Sequence, residues 1–404
     1  MGFGRYGGHP AVSAAHTHVP HFRTSERRSL KRCPQQWQWT YRQGLTTKSI
    51  RPGALWFGIG IHLALQERYK YKGLRRGKDV LKVWRDYVGE EIAFVNTTNY
   101  EDADPNVAPE QEWVEAQALG EAMLGAYLDK YGKDERWHVI SAEQTFEIPI
   151  PRPMSASERR TNSSAQRIAR IPLVYYNGTF DLVALDAEAE EENSLLLWDH
   201  KTAKQITTSH LSLDDQAGAY WAIASDVLAH QGLIKPGMKL DGILYNFLRK
   251  TIPDDRPTNV DGEATNKPTK QQYIAAFPKD VQDWAQDKKT TLADLVRMAN
   301  EYGIIVLGDV SKTQPTPMFV RETVVRTRNE RRTQIQRIQG EALLAEKYRT
   351  RELPLIKNPT KDCSWDCSFF SMCELHEAGG DWQEYRDAVY KKTDPYANHR
   401  KAAI

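Results

Sequence analysis

Gly178–Leu185, reading GTFDLVAL, and Leu195–Lys204, reading LLLWDHKTAK, decide the fold. Both runs are rich in apolar, β-branched and aromatic residues and are bounded by turn-forming composition, as strands are. Between them, 186–193 is acidic and turn-like, so the two strands form a hairpin-like pair. Side chains alternate between the faces of a strand, so Asp199 and Lys201 share one face, and Asp181 interrupts the apolar run of the preceding strand. Two carboxylates and an ammonium therefore converge. Carboxylates in an apolar strand are costly to bury unless a cation binds them, and Mg²⁺ is the natural hard-oxygen partner. Trp198 and His200 flank Asp199 and point to the opposite face, where packing is the expected role of Trp198.

The pattern outside this pair sets an α/β class. Leu30, Cys33, Trp37 and Tyr41 recur at helical steps, a second helix is expected from Leu55 through Tyr71, and Trp113, Ala116, Leu119, Met123, Tyr127 and Leu128 mark a third. VISAEQTFEIPI (139–150) and IPLVYYNGTFDLVAL (171–185) alternate as strands do, a helix follows from Leu211 to about Val227, and GILYNFL (242–248) is another strand. Helix, three strands, helix, strand suits a mixed central sheet flanked by helices. Glu143 and Glu147 on the first strand are either a supporting shell for the carboxylates or exposed strand residues. Residues 1–22 are expected to be a flexible tail, 23–390 one domain with a surface loop at 251–271, and 391–404 a second tail. A long charged helix is expected from about Phe319 to Lys347.

Composition excludes little. With 404 residues, 40% hydrophobic, 27% charged and a formal charge of +2, the chain reads as globular, and any case for nucleic acid rests on where the charges lie. No apolar run approaches a membrane span and the first residues lack a secretory stretch, so a cytoplasmic location without membrane contact is expected. Of the four cysteines, Cys33 stands alone while Cys363, Cys367 and Cys373 cluster, a pattern that favours metal ligation over disulfides. Arg23, Arg27, Arg28, Lys31 and Arg32 form one basic stretch. Arg68, Lys70, Lys72, Arg75, Arg76 and Lys78, interleaved with Tyr69 and Tyr71, form another that suits single-stranded DNA, and the arginines around Arg326 form a weaker candidate.

These residues together resemble the RecB/AddAB type of the PD-(D/E)XK nucleases, including CRISPR-associated and phage iron–sulfur exonucleases. The G-x-x-D element matches Gly178 to Asp181, and the D/E-x-K element matches Asp199 to Lys201. The helix histidine matches His62 in FGIGIHLALQERY (57–69), and Q-x-x-x-Y matches Gln216 and Tyr220. The resemblance implies a restriction-endonuclease-like core and a Mg²⁺- or Mn²⁺-dependent deoxyribonuclease, an exonuclease acting on DNA ends or single strands in recombination, repair or phage DNA processing. It implies Asp181, Asp199 and Lys201 as catalytic residues, with metal held by His62, Asp181, Asp199 and the backbone carbonyl of His200. Lys201 would position or deprotonate the attacking water, and Gln216 and Tyr220 would contact DNA. It further implies a [4Fe–4S] cluster on Cys33, Cys363, Cys367 and Cys373, with Zn²⁺ and His376 as the alternative. The three residues between Cys363 and Cys367, where relatives commonly have two, weaken the cluster assignment more than the ligand set. A recombination or helicase partner would supply any motor. A non-catalytic DNA-end-binding subunit and a structure-selective endonuclease stay open as alternatives.

Overall fold

The computed structural model describes residues 19–48, 53–69, 79–96, 109–154, 157, 172–191 and 193–396. The tail expected at 1–22 lies mostly outside them, and its last residues are ordered: His21–Arg23 is strand β1. The strands that follow are β2 Leu45–Thr47, β3 Trp137–Ile150, β4 Val174–Asp186, β5 Ser194–Ala203, β6 Lys239–Arg249, β7 Phe319–Val325 and β8 Tyr390–Lys392. The chain divides into two compact units, Thr251–Met318 and the remainder, where one domain with a surface loop was expected.

The larger unit is built on a six-stranded mixed sheet. β3 runs antiparallel along the whole of β4 on one side. On its other side β4 has two partners in succession: β1 pairs in parallel with Tyr175 to Asn177, and β5 pairs antiparallel with Leu182 to Leu185. Gly178–Asp181 lies in the fork between them. β5 leaves β4 after Trp198, so Asp199 to Ala203 pair only with β6, in parallel. The first seven residues of β5 are all buried, which is why its sequence reads as a continuous apolar run instead of an alternating one.

β7 corrects the expectation of a helix from Phe319. FVRETVV is rich in β-branched residues and pairs antiparallel with β6. The helix, Arg328–Arg349, begins only where Thr327 and Glu330 form a capping box. The first expected helix is likewise broken. Thr24–Arg32 ends at Cys33, whose backbone is extended before Pro34, and a new helix Pro34–Trp37 continues into a π-turn Gln38–Arg42.

Ala54–Tyr69, Val80–Asn96 and Pro109–Tyr131 form the layer that carries His62. The middle helix had no place in the sequence reading, yet its Val80, Trp84 and Val88 are buried at four-residue steps. Gly60 makes room for it, because a Cβ there would lie 2.5 Å from the Trp84 and Tyr87 rings. Asp215–His230, the helix after β5, packs against Arg328–Arg349 over the sheet core. At the C-terminus β8 pairs antiparallel with β2, so Lys391 and Lys392 are ordered where a tail was expected, and Tyr396 donates to Glu26. The tail positions 397–404 lie outside the described residues.

The unit Thr251–Met318 contains helices Lys270–Ala276, Lys279–Gln286 and Leu292–Glu301 around Phe277, Ala285, Leu295 and Ala299. Its Pro- and Asp-rich opening is a folded turn: Asn259 accepts from the backbone of Asp261 and Glu263, and Thr258 bridges Ala264.

Candidate metal centre

The fork in β4 exposes Asp181, and three elements bring ligands to it. His62 comes from Ala54–Tyr69, Glu143 from β3 and Asp181 from β4; one ligand atom of each lies within 4.8 Å of the others. Glu143 sits opposite Asp181 in the β3–β4 register, between the pairs Ala142–Leu182 and Gln144–Phe180. Its φ of +49° is left-handed, a conformation that costs a non-glycine residue about 1 kcal/mol and concentrates where function holds it. The sequence reading left Glu143 undecided between supporting shell and exposed surface, and the structure seats it in the cluster. Glu147 bonds Asn177 and His21 and stands apart from it.

The peptide group of His200 joins two of the ligands. Its N–H donates to Asp181 Oδ2 at 2.7 Å and its C=O accepts from His62 Nε2 at 2.9 Å. His62 thereby donates through Nε2, and its Nδ1 faces Asp181 Oδ1 at 3.6 Å and Glu143 Oε1 at 3.9 Å. A histidine that donates one ring N–H to a carbonyl and presents the other nitrogen is arranged as a metal ligand is. The His200 carbonyl, expected as a ligand, accepts from His62.

Asp199 and Lys201 share a face of β5, as their spacing requires, and pair at 2.7 Å. Asp199 stands outside the tight group of three. Burial raises its pKa to about 6, although Lys201 pulls the other way. For Lys201, burial works to lower the pKa, but Asp199, Asp214 and Asp181 outweigh it and hold the ammonium above its ordinary value. Asp214, the N-cap of Asp215–His230, is a neighbour that no motif singled out. Glu143 is raised to about 8, first by burial and then by the Asp181 charge. Among the described residues its buried Oε1 has no hydrogen-bond partner. A desolvated carboxylate oxygen aimed at a second carboxylate and an imidazole nitrogen fits a divalent cation, whose charge would satisfy all three.

Other expected residues are dispersed. Tyr220 packs edge-on against Phe146 and Phe180, and its ring occupies the space that a Cβ on Gly178 would need. Gln216 lies one turn earlier, half-buried. Arg68 donates to the Gly132 carbonyl, while Lys70, Lys72, Arg75, Arg76 and Lys78 lie outside the described residues. Three of the five basic residues at 23–32 are paired with carboxylates of the protein. Arg27 is fully buried against Asp215 and Glu341, Lys31 pairs with the same two, and Arg32 pairs with Asp366. Arg326 bonds the Leu211 and Ser212 carbonyls, and Arg331 pairs with Asp226. These charges hold elements together, which a count of basic residues along the chain does not reveal.

The four cysteines form no disulfide and are half-buried. The break at Cys33 is tied to the C-terminal segment by Arg32–Asp366, by Asn358 donating to the Arg32 carbonyl and by Gln35 N–H donating to Ile356. Burial raises the pKa of Cys367 and Cys373, and the charge of Cys33 raises both further, so the lone cysteine shares their electrostatic neighbourhood. Among the described residues no three of the sulfurs lie within 4.8 Å of one another. His376 is flanked by the rings of Trp39 and Trp382.

With fork, paired carboxylates and D-x-K strand in place, the comparison with known families is decisive: the model of the PD-(D/E)XK nuclease superfamily matches residues 24–374. The chain belongs to that superfamily, and it is a metal-dependent nuclease whose substrate is nucleic acid. A search of curated proteins finds no match. Among the described residues no helix is long and apolar enough to cross a membrane.

Proposed function

We propose that the protein is a Mg²⁺- or Mn²⁺-dependent exonuclease of the RecB/AddAB type, hydrolysing phosphodiester bonds at DNA ends or in single-stranded DNA. The observation that carries it is the convergence of His62, Glu143 and Asp181 beside the Asp199–Lys201 pair. His62, Asp181 and Glu143 would hold the metal, with Asp199 adjoining. When bound, the ion would supply Lewis-acid stabilisation of charge on the phosphate. Lys201, kept cationic by its acidic neighbours, would orient the attacking water and meet negative charge developing on the phosphate. Asp199 holds that ammonium in place. Gln216 and Tyr220, one turn apart on the helix Asp215–His230, would border the bound strand.

End-labelled single- and double-stranded DNA with Mg²⁺ or Mn²⁺ tests this reading, with a closed circular substrate to separate exonuclease from endonuclease action. Asp199→Ala and Lys201→Ala are each expected to slow cleavage by about 10²–10⁴-fold while DNA is still bound. Metal-independent cleavage, or variants as active as wild type, would overturn it. No cleavage under any of these conditions, with DNA binding retained, would favour a non-catalytic end-binding subunit, for which a recombination or helicase partner is the expected context.

We further propose a [4Fe–4S] cluster on Cys33, Cys363, Cys367 and Cys373, clamping the first helices to the last. The reading rests on the order of the four cysteines in the chain and on the bonds that tie the segment around Cys33 to the C-terminal segment. Anaerobically purified protein is expected to be brown and to contain iron, and Cys33→Ser to lose both colour and thermal stability. Colourless, zinc-loaded protein would replace this assignment with the alternative.

A further inference from the structure

The His200 peptide group orients both Asp181 and His62, so whatever fixes that peptide sets the geometry of the cluster. What fixes it lies on the opposite face of β5. The His200 ring is buried, and its Nδ1 accepts from Asn246 Nδ2 at 2.9 Å. Asn246, fully buried on β6 in direct register with His200, has a second donation to Tyr127 Oη at 3.0 Å and accepts from Arg321 Nε at 3.3 Å. Arg321 is itself immobilised, bidentate to Asp134 at 2.9 and 2.6 Å and 3.6 Å from the centre of the Tyr131 ring. The other side of the imidazole is stacked on Tyr69 at 5.9 Å and 18°. Tyr69 stands two turns after His62 on the same helix, so that helix grips residue 200 by its ring and by its carbonyl.

We propose that the His200 side chain and Asn246 are positioning residues of the metal site: anchored to Arg321, they lock the peptide group whose N–H and C=O aim Asp181 and His62. The inference rests on the reading of His62, Glu143 and Asp181 as the metal centre. It accounts for a buried polar chain of Asp134, Arg321, Asn246 and His200, which meets the cluster through the His200 peptide group and an edge-on contact of its ring with His62 at 5.7 Å. Outer residues of this kind commonly change metal affinity or activity by about 10–100-fold when removed.

The test is Mn²⁺ binding to the full-length protein, by calorimetry and by the electron paramagnetic resonance of free Mn²⁺, with melting of the metal-free protein recorded alongside. His200→Leu and Asn246→Ala are expected to weaken Mn²⁺ binding by about 10–100-fold and to raise the metal concentration for half-maximal cleavage in step, with KM for DNA little changed. His200→Asn, which puts an amide oxygen where Nδ1 now accepts from Asn246, is expected to retain binding. If Asn246→Ala does not fold, the contrast between His200→Leu and His200→Asn decides. Mn²⁺ affinity in His200→Leu equal to wild type, while His62→Ala loses it, overturns the positioning role and leaves the nuclease reading intact. Wild-type protein that binds no Mn²⁺ overturns the metal centre and this inference with it.

Discussion

Gly178 shows how a motif glycine earns its place through packing. A Cβ there would lie 2.6 Å from Phe146 Cζ and 2.8 Å from the Tyr220 hydroxyl, both on side chains wedged into the core. Gly178→Ala is therefore expected to destabilise the fold by about 1–3 kcal/mol, the usual cost of overpacking, measured by urea denaturation. It should also disturb Asp181, three residues on. The placement of Gly178 and Asp181 on one strand, Asp199 and Lys201 on the next and His62 on a helix was readable from the sequence, because spacing within an element fixes it. Glu143 was not, because its meaning depends on the pairing of β3 with β4, which one sequence does not display. Arg27 misled for the same reason: a cation in a basic run looks solvent-facing until Asp215 and Glu341 are folded onto it.

At the scale of elements, long periodic segments were legible and short ones were not. β1, β2 and β8 have three residues each, too few for alternation to register. β7 was mistaken for the start of its neighbouring helix because charged residues interrupt its apolar ones, and its pairing with β6 overrides any local preference. The β3–β4 pair is closed at its far end by Arg136, bidentate to Asp186 at 2.8 and 2.7 Å. That bond holds the Asp186 carboxyl below its ordinary pKa of 3.8. Because the folded value is depressed, the stabilisation is present above pH 3.8 and is lost as pH falls through the folded pKa. Arg136→Ala is expected to cost about 0.5–1 kcal/mol at pH 7, an amount limited by the exposure of the arginine, and less once Asp186 is protonated and only the stacking on Trp137 is lost. Denaturant midpoints at the two pH values measure the difference, and an equal deficit at both would contradict the pairing as its cause.

For the whole molecule, the unit Thr251–Met318 is an insertion into a hairpin. Leu248 on β6 lies opposite Phe319 on β7, so the chain leaves and re-enters the sheet at adjacent points. Replacing Thr251–Met318 by a short glycine-containing turn is expected to leave a folded protein that still binds Mn²⁺, since an Asn-Gly type turn closes antiparallel neighbours directly. Loss of the main melting transition would show that the larger unit depends on the insertion. Composition could not mark this boundary, because 251–318 has its own small apolar core and ordinary charge.

The fork in β4 also sets a schedule. β1 can dock only on Tyr175 to Asn177, and Phe22, Leu30 and Trp37 join a core completed by residues as distant as Ala345. At roughly 5–20 residues per second on the ribosome, the first strand waits on the order of 10–30 s for its partner to be made. β2 waits longer, for β8, near the end of the described chain. The segment that bears Cys33 is thus synthesised well before the strands it joins and settles only after them, and during that interval its thiol and apolar face stay open to the cell's chaperones.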